Sequence, residues 1–236
     1  MTRTLRVFRW SPGEAERTRE YRVEAARDTT VLDALVEVQR SQDPTLAFRY
    51  ACRVGMCGSC AVVVNGRERW ACRTRLGDLG AGAVRVRPLY HFPLLRDLVV
   101  DLGPHAERLR RALGAFTPRA GAEPYARIAG DSRERAAIDE AIECIGCGMC
   151  VSACTLVAPN PRFPGPAALN RALTLQLDSR DGAGAARWGV LLGEDALARC
   201  HGQGTCTEVC PMGLQPTASI IRLRWLGLSR LLRWTG

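Results

Sequence analysis

Eleven cysteines in 236 residues fall into three tight groups, so thiolate chemistry is the first question this sequence raises. The first group is CRVGMCGSC (52–60) with Cys72 further on, a Cys-x4-Cys-x2-Cys-x11-Cys spacing. The second is CIGCGMCVSAC (144–154), spaced x2, x2, x3. The third, CHGQGTCTEVCP (200–211), repeats that pattern with Cys200, Cys206 and Cys210 but carries Gln203 where the fourth thiol would stand. A disulfide framework has no reason to cluster in this way. The first ten residues alternate charged and apolar side chains instead of forming an apolar leader, so metal ligation is the better reading. A structural zinc site prefers two well-separated pairs, not three cysteines within nine residues.

Cys52, Cys57 and Cys60 have the plant-type spacing for a 2Fe-2S cluster, with Cys72 as the fourth ligand. Such a cluster needs four thiolates and backbone N–H groups aimed at its sulfides. Gly55, Gly58 and Ser59 are small enough to let the chain wrap closely, and a turn at Asn65-Gly66 folds Cys72 back toward the loop. The second group is a complete bacterial-type run. In two-cluster proteins the last cysteine of each run ligates the other cluster. That rule assembles Cys144, Cys147, Cys150 and Cys210 as a 4Fe-4S set. It leaves Cys154, Cys200 and Cys206, three thiolates suited to a 3Fe-4S cube that lacks one corner, with Gln203 at the vacancy. No cysteine is left over. No Ser-His-Asp arrangement, phosphate loop or acid/base pair is evident, so no catalytic residue is expected. Of three histidines, His91 and His105 read as surface or packing residues. His201, beside Cys200, is placed to hydrogen-bond a quinone or a haem carboxylate.

The elements that must position these thiols divide at about residue 100. TLRVFRW (4–10) and REYRVEA (19–25) alternate as half-buried strands do. DTTVLDALVEVQR (28–40) is an amphipathic helix with Asp28 or Thr29 as cap. AVVVNGRERW (61–70) is a hairpin, and AVRVRPL (83–89) adds a last strand. Strand, strand, helix, hairpin, strand is a β-grasp order. Thereafter the pattern is helical: 96–113, 132–144, 166–177, 194–199 and 215–234, with FTPRAGAEPYA (116–126) as a Pro/Gly-rich connector. The expected fold class is therefore α+β, an N-terminal β-grasp plant-type ferredoxin domain (1–100) plus a C-terminal all-helical, bacterial-ferredoxin-like domain (101–236).

Apolar residues make up 47% of the chain, enough for buried cores. The net charge is +9, and every one of the 33 basic residues is arginine, a bias expected of a GC-rich genome. No basic run is interleaved with aromatics, which argues against nucleic acid. No apolar run approaches bilayer length. The basic helix at 215–234 is suited to an ordinary core-facing role with a solvated arginine face, or to touching a membrane partner or lipid headgroups.

The order of two-iron, four-iron and three-iron ligand sets, with CRVGMCGSC, CIGCGMC, CTEVCP and the linker FPLLRDLVVD (92–101), resembles the iron–sulfur subunit of succinate dehydrogenase and quinol:fumarate reductase over nearly the whole chain. The resemblance implies a flavoprotein partner carrying FAD, a membrane-anchor cytochrome b partner with haem b, and a quinone as the far electron carrier. It also implies a peripheral place on the cytoplasmic face of the membrane. Electrons would run from FAD through the three clusters to quinone, or back for fumarate reduction. One departure stands out: CTLVAPN (154–160) carries Thr155 where many members have Pro, and Pro159 where they have a ubiquinone-binding Trp. This points to the menaquinone-linked branch. The rival readings are an iron–sulfur subunit of another fumarate- or heterodisulfide-linked reductase, which Gln203 argues against, and a non-redox zinc module.

Overall fold

The structure is a computed structural model and describes every residue except Ala122, Pro124, Thr235 and Gly236; the side chains of Arg233 and Trp234 are also outside the description. The chain packs as two compact units. One is Met1–Leu102 with Ile145–Ala153, the other Gly103–Cys144 with Cys154–Gly236.

In the first unit, β1 (Thr2–Arg9) and β2 (Arg17–Glu24) pair antiparallel along their full length. Helix α1 (Val31–Ser41) opens with a capping box in which Thr30 and Asp33 each bond the other's backbone N–H, so the cap is Thr30. Its apolar stripe of Val31, Leu32, Leu35 and Val38 is buried in the same core as Leu5, Val7 and Phe8. Strands β3 (Ala61–Val64) and β4 (Arg67–Trp70) form the hairpin read from Asn65-Gly66. Both turn residues have positive φ, 51° and 84°, as a tight primed turn demands. Strand β5 (Val84–Arg87) lies between β1, parallel, and β3, antiparallel, giving the sheet order β2-β1-β5-β3-β4.

The segment 96–113, read from sequence as helical, is helical only in its second half. Before it, β6 (Leu94–Arg96) and β7 (Val99–Val100) form a small antiparallel hairpin. Asp97 is the cause. Its buried carboxylate accepts hydrogen bonds from Arg9 Nε (2.9 Å), Trp10 N (3.0 Å) and Ala47 N (2.8 Å), and its φ of 46° would interrupt any helix. Arg9 also bonds Asp43 and the Tyr21 hydroxyl, so one buried guanidinium ties two strands and two loops together.

The second unit is helical. It contains α2 (Gly103–Arg111), α3 (Arg133–Ile142), α5 (Pro166–Leu177), α6 (Gly184–Leu191), α7 (Thr205–Glu208) and α8 (Pro216–Trp234); α4 (Met149–Ser152) lies in the first unit. Helix α5 starts on Pro166, is buried along most of its length and packs on α2, α3, α6 and α8. Inside, Asn170 donates to Ala141 O and accepts from Ser219 Oγ, and Arg187 makes a fully buried bidentate pair with Asp181. The expected helix at 194–199 is only a 3-10 turn, Leu197–Arg199. Ala196 leaves the helical basin, and Arg224 takes the carbonyls of Leu197 and Cys200 that a longer helix would have used. Helix α6 was not legible from sequence because Gly184 and Gly189 dilute its pattern. The connector 116–126 includes Ala122 and Pro124, which lie outside the described residues. Helix α8 buries Ile220 and Leu223, whereas Ile221, Trp225, Leu228 and Leu232 are exposed, so its outer face is apolar as well as basic.

Candidate metal centres

The loop 52–60 is shaped from glycine and from backbone N–H groups. Gly55 and Gly58 sit at φ 75° and 72°, and a Cβ on Gly55 would lie 2.9 Å from Arg73 Cγ and 3.0 Å from the Trp70 ring. The N–H groups of Met56 and Cys57 both donate to Cys52 Sγ at 3.4 Å, the kind of donation that stabilises sulfur carrying negative charge. Ala71 N donates to Cys60 O, which pins the returning strand of the hairpin beside the loop and brings Cys72 next to Cys60. The thiols are not equivalent. Hydrogen bonding to Ser59 and to Cys52 holds the exposed Cys57 down to about 6, whereas burial pushes Cys60 up to about 12. Left alone, Cys60 keeps its proton; a thiophilic metal would displace it. Glycines with no room for a side chain, N–H groups on sulfur and four thiols on one loop and hairpin fit a small iron–sulfur group.

In the second unit Cys154, Cys200 and Cys206 line one pocket, together with His201, Gln203 and Thr217. Burial raises the Cys154 and Cys206 thiols, and the neighbouring thiols of the trio raise both further. Thr217 Oγ1 lies 3.2 Å from Cys206 Sγ. Gly202 and Gly204, at φ 71° and 84°, turn the chain around Gln203. Gln203 does not hang free: Thr155 Oγ1 donates to its Oε1 at 2.8 Å, joining the segment after Cys154 to the segment after Cys200. His201 is exposed at the pocket's rim. Three convergent thiols with a non-thiol fourth position fit a cube with one corner missing.

Of the remaining cysteines, Cys147 and Cys150 lie in the first unit and Cys144 and Cys210 in the second. Within the first unit the segment Ile145–Ala153 is seated by contacts that sequence reasoning missed. Ser152 Oγ donates to the buried Glu68 carboxylate (2.7 Å) and accepts from Tyr90 N (2.8 Å). Gly148 sits against Phe92, where a Cβ would come within 3.2 Å of the ring. No local pattern announces these partners, because they lie 62 and 84 residues apart. Of the other histidines, His91 is exposed and His105 is buried, its pKa lowered by that burial and by Arg108.

Cysteines grouped in this way point to iron–sulfur chemistry, and the chain is similar to iron–sulfur proteins. Residues 4–107 match a family described as a 2Fe-2S iron–sulfur cluster binding domain, and residues 140–214 one described as a 4Fe-4S dicluster domain. The chain is 36% identical to the succinate dehydrogenase iron–sulfur subunit of Paracoccus denitrificans, over 97% of this chain and 89% of that one. It is 35% identical to the fumarate reductase iron–sulfur subunit of Mycobacterium tuberculosis (97% and 94%) and 34% identical to that of Haemophilus influenzae (92% and 89%). A chain of the Mycobacterium smegmatis Sdh1 complex in the apo form superposes with a TM-score of 0.89 at 32% identity, covering 97% of this chain and 96% of that one. The chain belongs to the family of iron–sulfur subunits of succinate dehydrogenase and fumarate reductase.

Proposed function

We propose that this chain relays electrons between the FAD of a flavoprotein partner and a quinone held at a membrane-anchor cytochrome b partner, oxidising succinate or, in reverse, reducing fumarate. The first unit is read as a β-grasp, plant-type ferredoxin domain and the second as a bacterial-ferredoxin-like one, with the division falling near residue 100. Cys52, Cys57, Cys60 and Cys72 hold the two-iron centre. Cys144, Cys147, Cys150 and Cys210 hold the four-iron centre. Cys154, Cys200 and Cys206 hold the three-iron centre. When bound, these centres supply one-electron chemistry that no side chain here can supply. The chain's own part is to fix the thiols, donate N–H groups to sulfur and exclude water by burial.

The observation that carries this reading is the trio of convergent thiols with Gln203 in the fourth place. A three-thiol site near the end of the relay is suited to handing electrons to a quinone, with His201 at its rim as the contact to quinone or haem. Thr155 and Pro159 favour menaquinone. Among the described residues no helix is long and apolar enough to cross a membrane. On the family likeness, the anchor and its haem b are assigned to partners and this chain to a peripheral place on the cytoplasmic face. The test is electron paramagnetic resonance on the source membranes. A three-iron signal present when oxidised and lost on adding succinate supports the assignment. A signal that ignores succinate but yields to another donor means that the flavoprotein partner is of a different kind. Quinones extracted with the purified complex should be menaquinone; ubiquinone alone would remove the menaquinone reading.

A further inference from the structure

Gly58, between Cys57 and Cys60 of the first loop, lies against the backbone of the second cysteine run. A Cβ built there would fall 2.6 Å from Cys147 Cβ, 3.1 Å from Cys147 Cα and 3.4 Å from Ile145 Cδ1. Real atoms do not approach to 2.6 Å, and Cys147 backbone cannot yield as a flexible side chain would. The φ of 72° at Gly58 adds strain for any L side chain. The two segments therefore touch through the one residue that has nothing to put between them. The run is also held against this unit from its other end, where Ser152 bonds Glu68 and Gly148 abuts Phe92. The contact is positioned by packing that cannot slide without breaking a buried hydrogen bond.

Resting on the ligand assignment above, we propose that this contact is where electrons cross from the first centre to the second. Cys57 and Cys147 are the ligand residues on the two sides, lining one cavity, and Gly58 is the positioning residue whose close approach to Cys147 keeps the two segments together. With both centres bound, one electron would pass from the first, oxidising it, to the second, reducing it, with no bond formed or broken and no proton moved. Tunnelling falls exponentially with the gap, so even a methyl group at position 58 slows the passage by prying the two segments apart.

The experiment uses the iron-loaded chain in its assembled complex and compares it with Gly58→Ala and Gly13→Ala. Gly13, between β1 and β2, has the same left-handed backbone (φ 85°), and nothing stands within 4 Å of a Cβ there. Gly13→Ala therefore carries the strain without the wedge. Two quantities are read: broadening of the reduced first centre's resonance by the reduced second centre, and the freeze-quench rate at which succinate reduces the third centre. In Gly58→Ala the broadening weakens and the third centre is reduced severalfold more slowly, while Gly13→Ala retains the broadening and the rate. Gly58→Ala with both centres present and both readouts unchanged overturns the proposal. If Gly58→Ala fails to load the first centre, the unsubstituted complex decides, since ligand residues lining one cavity require strong mutual broadening. Both centres present without it overturns this inference alone; absence of either centre from the unsubstituted complex overturns the ligand assignment and this inference with it.

Discussion

At the scale of single residues, the third site turns on Gln203. Its amide oxygen is engaged by Thr155, which stands where the resemblance drawn above leads one to expect Pro, while Gln203 itself stands where the bacterial cysteine pattern has a thiol. A hydrogen bond between exposed groups contributes about 1 kcal/mol or less to stability, so the pair's importance lies in where it holds the amide. Gln203→Cys supplies the missing thiol at the position the bacterial pattern reserves for it. The variant is expected to exchange the oxidised three-iron resonance for a four-iron signal visible only on reduction, with iron content rising correspondingly. Persistence of the three-iron resonance at full intensity would mean that residue 203 does not face the open corner. Thr155→Val, which keeps the shape and removes the donor, leaves the cluster type unchanged.

At the scale of elements, the first unit is organised around Arg9. Burial opposes ionisation of Asp43, but hydrogen bonds from Thr45, Tyr21 and Arg9 outweigh it and hold the carboxyl well below its ordinary value of 3.8. A carboxylate whose folded pKa is depressed contributes stability that is complete above the ordinary value and fades as pH falls through it toward the folded value. Denaturant midpoints should therefore decline below about pH 4, and Asp43→Asn should flatten that decline. At neutral pH Asp43→Asn should cost about 3 kcal/mol, because Arg9 stays buried with one partner removed. The hairpin turn offers a cleaner test. Nothing stands within 4 Å of a Cβ at Gly66, so Gly66→Ala costs only the left-handed backbone, about 1–2 kcal/mol, read as a shift in the unfolding midpoint. The strands, α1 and this turn were legible in the sequence because alternation, helical periodicity and Asn-Gly are local signals. The meeting of Cys154, Cys200 and Cys206 in one pocket was legible because the cysteine spacing already grouped them. The β6–β7 hairpin was not, since the partners that hold Asp97 out of a helix, Arg9, Trp10 and Ala47, lie 88, 87 and 50 residues away. The 3-10 turn at 197–199 was hidden for the same reason, its carbonyls being claimed by Arg224 from α8.

At the scale of the whole molecule, regular structure is unevenly shared. The sheet β2-β1-β5-β3-β4 has continuous ladders and a core of Leu5, Val7, Val64 and Val86 with almost no exposed surface, so it holds itself together. The segments that carry Cys154, Cys200, Cys206 and Cys210 are irregular or turn except for the four-residue α7, and scattered hydrogen bonds such as Thr155 to Gln203 and Arg224 to the Cys200 carbonyl hold them in place of a continuous ladder. For such segments metal ligation is a cross-link, and loss of the metal removes it. Iron chelation of the reduced protein should therefore act locally before it acts globally. Amide hydrogen exchange is expected to accelerate first across 154–165 and 200–215, while β1, β3 and β5 retain their protection at the same chelator concentration. The half-buried Cys154 and the buried Cys206 should take up protons as the iron leaves, because desolvation favours their neutral form. If the sheet amides lose protection in step with the 200–215 segment, the chain unfolds as one cooperative body. The thiols would then be stapling the whole molecule, not the loops that bear them.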